Sequence, residues 1–75
     1  MARTVAVDVV KPGERANELL RSVGIRLGRF GGHLEEGRGG KDVMVVFSSD
    51  REHARRLVRE QLEDCGEDWT DHLRV

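Results

Sequence analysis

The chain has no tyrosine, one tryptophan, two phenylalanines, one proline and one cysteine among its 75 residues. Each scarcity excludes something. So few rings make a poor platform for stacking the bases of single-stranded RNA. A lone cysteine, Cys65, cannot close an intramolecular disulfide and has no CxxC partner for zinc, so a reducing, cytoplasmic setting is expected. No apolar run approaches the ~20 residues of a membrane span. The opening "MARTVAVDVV" interrupts its valines and is followed by no small-residue cleavage site, unlike a signal peptide. Neither sign of charge is in excess. Thirteen basic side chains stand against 14 acidic ones, for a net charge of −1, which gives no global pull toward nucleic acid or anionic membrane. A chain this short makes one domain, residues 1–75, and buries only about 60% of the surface its unfolded form exposes. Oligomerisation is a common remedy.

What is present is pattern. In "TVAVDVV" (Thr4 to Val10), Val5, Val7 and Val9 alternate with Thr4, Ala6, Asp8 and Val10, the mark of a strand. Pro12-Gly13 stops it. Ala16, Leu19, Leu20 and Val23 then recur with helical spacing. Gly24 is expected to close that helix, with Ile25 and Leu27 restarting an extended run. "RLGRFGGHLEE" reads as a strand weakened by glycines, and "EGRGGK" (Glu36 to Lys41) as a hairpin tip. "DVMVVFSS" (Asp42 to Ser49) is apolar on both faces, Val43, Val45 and Phe47 on one and Met44 and Val46 on the other, as expected of a covered strand. "SDRE" from Ser49 to Glu52 has the form of a capping box. The helix after it turns Ala54, Leu57, Val58, Leu62 and Cys65 inward and ends at Gly66. "DWTDHLRV" is read as a fourth strand, with Trp69, Asp71, Leu73 and Val75 on one side.

The order β-α-β-β-α-β predicts an α+β fold, a ferredoxin-like sandwich in which one four-stranded antiparallel sheet of order 4-1-3-2 carries both helices on one face. With the first strand's valines facing the helices, the opposite face is expected to show Ala6, Asp8, Met44, Val46, Thr70, His72 and Arg74, joined by Arg29 or His33. That mixed surface is read as a place covered by a second copy or another domain.

The string of strand, "KPG", helix, "LLRSVGIRL", Gly-rich hairpin, "DVMVVFSSD", "ARRLV" and closing strand resembles the ACT domain over nearly the whole chain. Asp8, Pro12-Gly13 and Gly24-Ile25 carry the resemblance most specifically. The sequence departs from the family's pattern in placing Lys11 between the acidic residue and Pro12, and in carrying Arg26 where asparagine is frequent. A fainter similarity links "KPG…GI" to PII-type signalling proteins. The ACT resemblance implies a regulatory module that pairs side by side as a homodimer. It further implies binding of an amino acid or similar small metabolite at the first strand–helix corner, with Asp8 holding an amino group, Gly13 granting access and the helix N-terminus holding a carboxylate.

From the residues alone, the corner formed by Asp8, Lys11, Pro12, Gly13 and Glu14 is either such a ligand site or simply a tight turn. "GRGGK" lacks the P-loop spacing. Arg51, Arg55 and Arg59 form a stripe at helical spacing, read as a solvated face supported by Glu52–Arg56 and Arg59–Glu63 pairs. His33, His53 and His72 show no metal-ligand spacing, and no cofactor is implied. Asp8 with His72 is the one conceivable acid–base pair; with no nucleophile signal beside it, a non-enzymatic regulatory module is the leading expectation. The alternative is a nucleic-acid or protein-interaction module using the open sheet face and the basic residues Arg29, Arg38, Lys41 and Arg51.

Overall fold

The computed structural model describes residues 2–36, 42–48 and 50–75. The alternating valines form β1 (Ala2–Val9), and Val5 and Val7 are buried. The chain continues through α1 (Glu14–Leu27), a 3-10 turn (Gly28–Phe30), β2 (His33–Glu36), β3 (Asp42–Phe47), α2 (Arg51–Cys65), α3 (Trp69–His72) and β4 (Leu73–Arg74). The four strands lie in the order β2-β3-β1-β4, the expected 4-1-3-2, and every pairing is antiparallel. One core holds Val5, Val7, Met44 and Val46 of the sheet, Ala16, Leu19, Leu20, Val23 and Leu27 of α1, Ala54, Val58 and Leu62 of α2, and Trp69 and Leu73. Both long helices therefore cover the same sheet face, and no helix among the described residues covers the other. No helix among the described residues is long and apolar enough to cross a membrane.

Four local expectations are corrected. First, Gly24 does not end α1, which runs on to Leu27. A mid-helix glycine costs about 1 kcal/mol relative to alanine, whereas burying Leu27, here fully buried, contributes about 1.5–3 kcal/mol. The longer helix wins. Gly24 serves packing instead: a Cβ there would stand 3.3 Å from Leu34 Cβ of β2. Ile25 is consequently a helical residue and is 73% exposed.

Second, β3 faces the other way. Val5 pairs across from Met44 and Arg3 from Val46, so Met44 and Val46 share the helix-covered face and are fully buried. They are not open-face residues. Val43, Val45 and Phe47 take that place, beside Thr4 and Ala6. Both faces of β3 are apolar, and a one-residue change of register exchanges them.

Third, residues 69–72 are not a strand. Trp69 N–H donates to the Gly66 carbonyl at 3.2 Å and Asp71 N–H to that of Asp68 at 3.0 Å. The chain thus turns tightly after α2, burying the Trp69 indole. Only Leu73 and Arg74 remain extended, opposite Val9 and Asp8.

Fourth, the cap expected of Ser49, which lies outside the described residues, is provided by Asp50. Its Oδ1 accepts from the His53 N–H at 2.7 Å. The hairpin tip with Arg38 and Lys41 also lies outside the described residues.

Candidate functional site

The strand–helix corner is built tightly. Val10 and Lys11 both donate their N–H to the carbonyl of His72, at 2.8 and 3.1 Å, so α3 holds the end of β1. Gly13 then takes a φ of 149°, which side chains rarely adopt. Its carbonyl accepts the first helical bond, from Asn17 at 3.1 Å. Lys11, Pro12, Gly13 and Glu14 are all exposed, and nothing lies within 4 Å of where a Cβ on Gly13 would be. These four residues form an exposed ridge and do not line the cleft that holds Asp8.

Asp8 points elsewhere. With Thr4, Val5, Ala6, Arg51, Arg55, Arg74 and Val75 it lines an open cleft of about 410 Å³. The backbone explains why a cleft exists there. Along an antiparallel strand, successive residues turn their N–H and C=O to alternate sides. Val10 N–H bonds to His72, so the even-numbered residues of β1 face the β4 side. Yet β4 reaches only Asp8 and Val9. Thr4 and Ala6, both exposed, direct their polar groups at an edge that no strand among the described residues covers. Arg51 and Arg55, one turn apart on α2, stand over this edge from the helix side. Arg74, opposite Asp8, closes its end. Among the described residues, none of the three arginines forms an ion pair with a side-chain carboxylate.

The helix stripe is therefore more than a solvated face. Arg55 and Arg59 each donate an Nη2 hydrogen bond to the Val75 carbonyl, at 3.2 and 3.1 Å. The expected Arg59–Glu63 pair does not form, since Glu63 accepts instead from the Trp69 indole N–H at 2.8 Å. Glu52 and Arg56 do not pair either; they line a smaller groove with Arg55 and Arg59. A second concavity of about 400 Å³ adjoins the first, lined by Arg59, Trp69, Thr70, Leu73, Arg74 and Val75.

The expected site residues thus separate. Ala6, Asp8, Arg51 and Arg74 come together at the β1 edge. Thr70 and His72 belong to α3, not to the sheet face. The acid–base pairing of Asp8 with His72 is absent: the register sets Arg74 opposite Asp8, and the His72 imidazole lies 3.7 Å from the Asp68 carboxylate. Arg29 sits in the 3-10 turn that leads to β2 and shares no concavity with Arg51. His33 joins the open face opposite Val45 and bonds to Glu35 at 2.7 Å. Among the described residues no three His, Cys, Asp or Glu side chains converge as metal ligands would. Cys65 is half-buried, and burial pushes its thiol pKa up. Sequence reading missed Arg55 as a cleft residue. The available signal was the four-residue spacing of Arg51 and Arg55, but the open strand beside them is non-local.

Compared with protein-family models, curated proteins and solved structures, the chain finds no significant match in any of the three.

Proposed function

We propose that this protein is a non-enzymatic interaction module that captures an anionic partner in the cleft along β1. One observation supports the reading: Arg51, Arg55 and Arg74 converge on one cleft beside β1, and among the described residues no side-chain carboxylate is ion-paired to any of them. Guanidinium groups bind carboxylates and phosphates in two-bonded geometry, and they keep their charge at any physiological pH. The chain's net charge of −1 makes this a local, directional attraction. The cleft offers arginines and a single carboxylate, Asp8, rather than a nucleophile beside a base, so binding is the chemistry it suits. The ferredoxin-like sandwich is part of the same proposal, supported by the strand order and by both long helices lying on one face.

A second reading keeps a small zwitterionic metabolite at the Lys11–Glu14 ridge. It is favoured by the open space around Gly13 and by the lack of any side-chain cap at the start of α1. It would bring with it the homodimer implied by the ACT resemblance.

Thermal stability with acidic peptides, the amino acids and a short RNA, at low and high salt, tests both. The cleft reading expects stabilisation by anionic partners that weakens with salt and is lost in Arg51→Ala/Arg55→Ala. A salt-tolerant shift from one amino acid, lost in Gly13→Val, would replace it with the ridge reading.

A further inference from the structure

We infer that the sheet face turned away from the helices pairs with the same face of a second copy, about a two-fold axis parallel to the strands. The inference is independent of what fills the cleft. The register lays this face out in columns. β3 supplies Val43, Val45 and Phe47, β1 supplies Thr4 and Ala6, and β2 supplies His33 and Glu35. Arg74 of β4 stands opposite Asp8 at the far edge. Large apolar side chains fill the β3 column and smaller ones the β1 column beside it, and these two strands are the middle of the sheet. An axis between them lays β3 of each copy over β1 of the other. Val43 and Val45 then stand over the partner's Ala6 and the partner's Thr4, at the ~10 Å separation of stacked sheets. An axis across the strands would set large on large and small on small, a poorer fit for close packing.

Charge selects the same axis and the same partner. With strands in the order β2-β3-β1-β4, an axis along the strands lays β2 over the partner's β4. Glu35 is level with Val43 and Ala6, and Arg74 with Asp8. The offset is two residues, about 7 Å along the strand, which glutamate and arginine side chains span together. Glu35 so reaches the partner's Arg74, and the two-fold repeats the contact. A strongly acidic surface would instead meet Glu35 in repulsion, and a strongly basic one Arg74. Phe47 is fitted to be an anchor. Its ring lies so close to Gly31 that a Cβ there would collide with it, yet it is 55% exposed. A ring already held in place loses little freedom when covered. Strand spacing gives this four-stranded face roughly 400 Å² per copy, at the small end for specific interfaces, so the pair is a weak one that forms as concentration rises. Arg51 and Arg55, on the helix side, are left to the cleft.

Sedimentation equilibrium over a wide range of protein concentration tests the pairing, with circular dichroism to confirm that each variant folds. The unaltered chain is expected to pass from monomer to dimer. Val45→Glu, which sets a carboxylate in the middle of the face, should leave a monomer throughout. Thr4→Lys, at an exposed position of β1, repeats that test if Val45→Glu fails to fold. Glu35→Arg and Arg74→Glu should each weaken the dimer about fivefold or more, because the contact occurs twice. The double variant Glu35→Arg/Arg74→Glu should return to within about twofold of the unaltered chain. A chain that stays monomeric at every concentration would overturn the inference. So would a dimer indifferent to a charge at position 45 or 4, which would place the contact elsewhere, as in side-by-side pairing. Single charge variants that the double variant does not rescue would overturn the axis along the strands.

Discussion

Arg15 and Asp68, 53 residues apart, meet in a two-bonded ion pair, with Nε to Oδ2 and Nη2 to Oδ1 both at 2.7 Å. The pair joins the first turn of α1 to the turn between α2 and α3. Gly66 makes room for it, because a Cβ there would run into the Arg15 guanidinium. The two hydrogen bonds from Arg15 hold the Asp68 carboxyl down at about 2, and the same contact raises the Arg15 pKa. The clamp reaches the cleft indirectly. It anchors α3, whose His72 carbonyl receives Val10 and Lys11, in line with the register that sets Arg74 opposite Asp8.

Asp68→Asn is expected to lower the thermal midpoint at neutral pH. Asp68 titrates lower in the folded protein than its ordinary value of 3.8. Its contribution is therefore present above that value and lost as pH falls toward about 2. The gap between parent and variant should close over that window. A gap independent of pH would show that the charge is not what Asp68 contributes.

Met44→Ala should cost about 2–5 kcal/mol, the usual result of emptying a buried site. Val45→Ala, on the open face, should cost about 1 kcal/mol or less. Urea unfolding followed through Trp69 fluorescence measures both. The reverse ranking would invert the assigned faces of β3.

Asp50→Ala removes the side-chain acceptor at the start of α2 and should cost about 1 kcal/mol. Helix content by circular dichroism and the urea midpoint report it. An unchanged midpoint would show that another residue caps α2.

Cys65 should react slowly with a disulfide reagent near neutral pH. Its raised pKa lowers the thiolate fraction, and the thiolate is the reacting species. Denaturant should bring the rate to that of a free cysteine peptide. Equal rates with and without denaturant would contradict the packing at the end of α2.

The open face and the cleft differ in what they ask of the fold. Phe47 is 55% exposed and lies with Val43 and Val45 on the open face, a surface that follows from the register of β3 alone. The cleft needs elements far apart in sequence: β1, Arg74 of β4, and a helix that carries Arg51 and Arg55 beside them.

Local pattern by itself determined β1, the inward faces of both long helices and the exit from α2 at Gly66. Alternation, helical spacing and a terminating glycine all act within a few residues. The α+β class and the strand order followed from arranging those pieces economically. The tertiary structure decided what local pattern leaves balanced. Leu27 found a buried place that outweighed the cost of Gly24 within a helix. β3, apolar on both sides, took its orientation from the register against β1. Residues 69–72 coiled because Asp68 is held by Arg15 and the Trp69 indole packs into the core. The cleft forms where α2, distant in sequence, brings Arg51 and Arg55 beside β1 and Arg74.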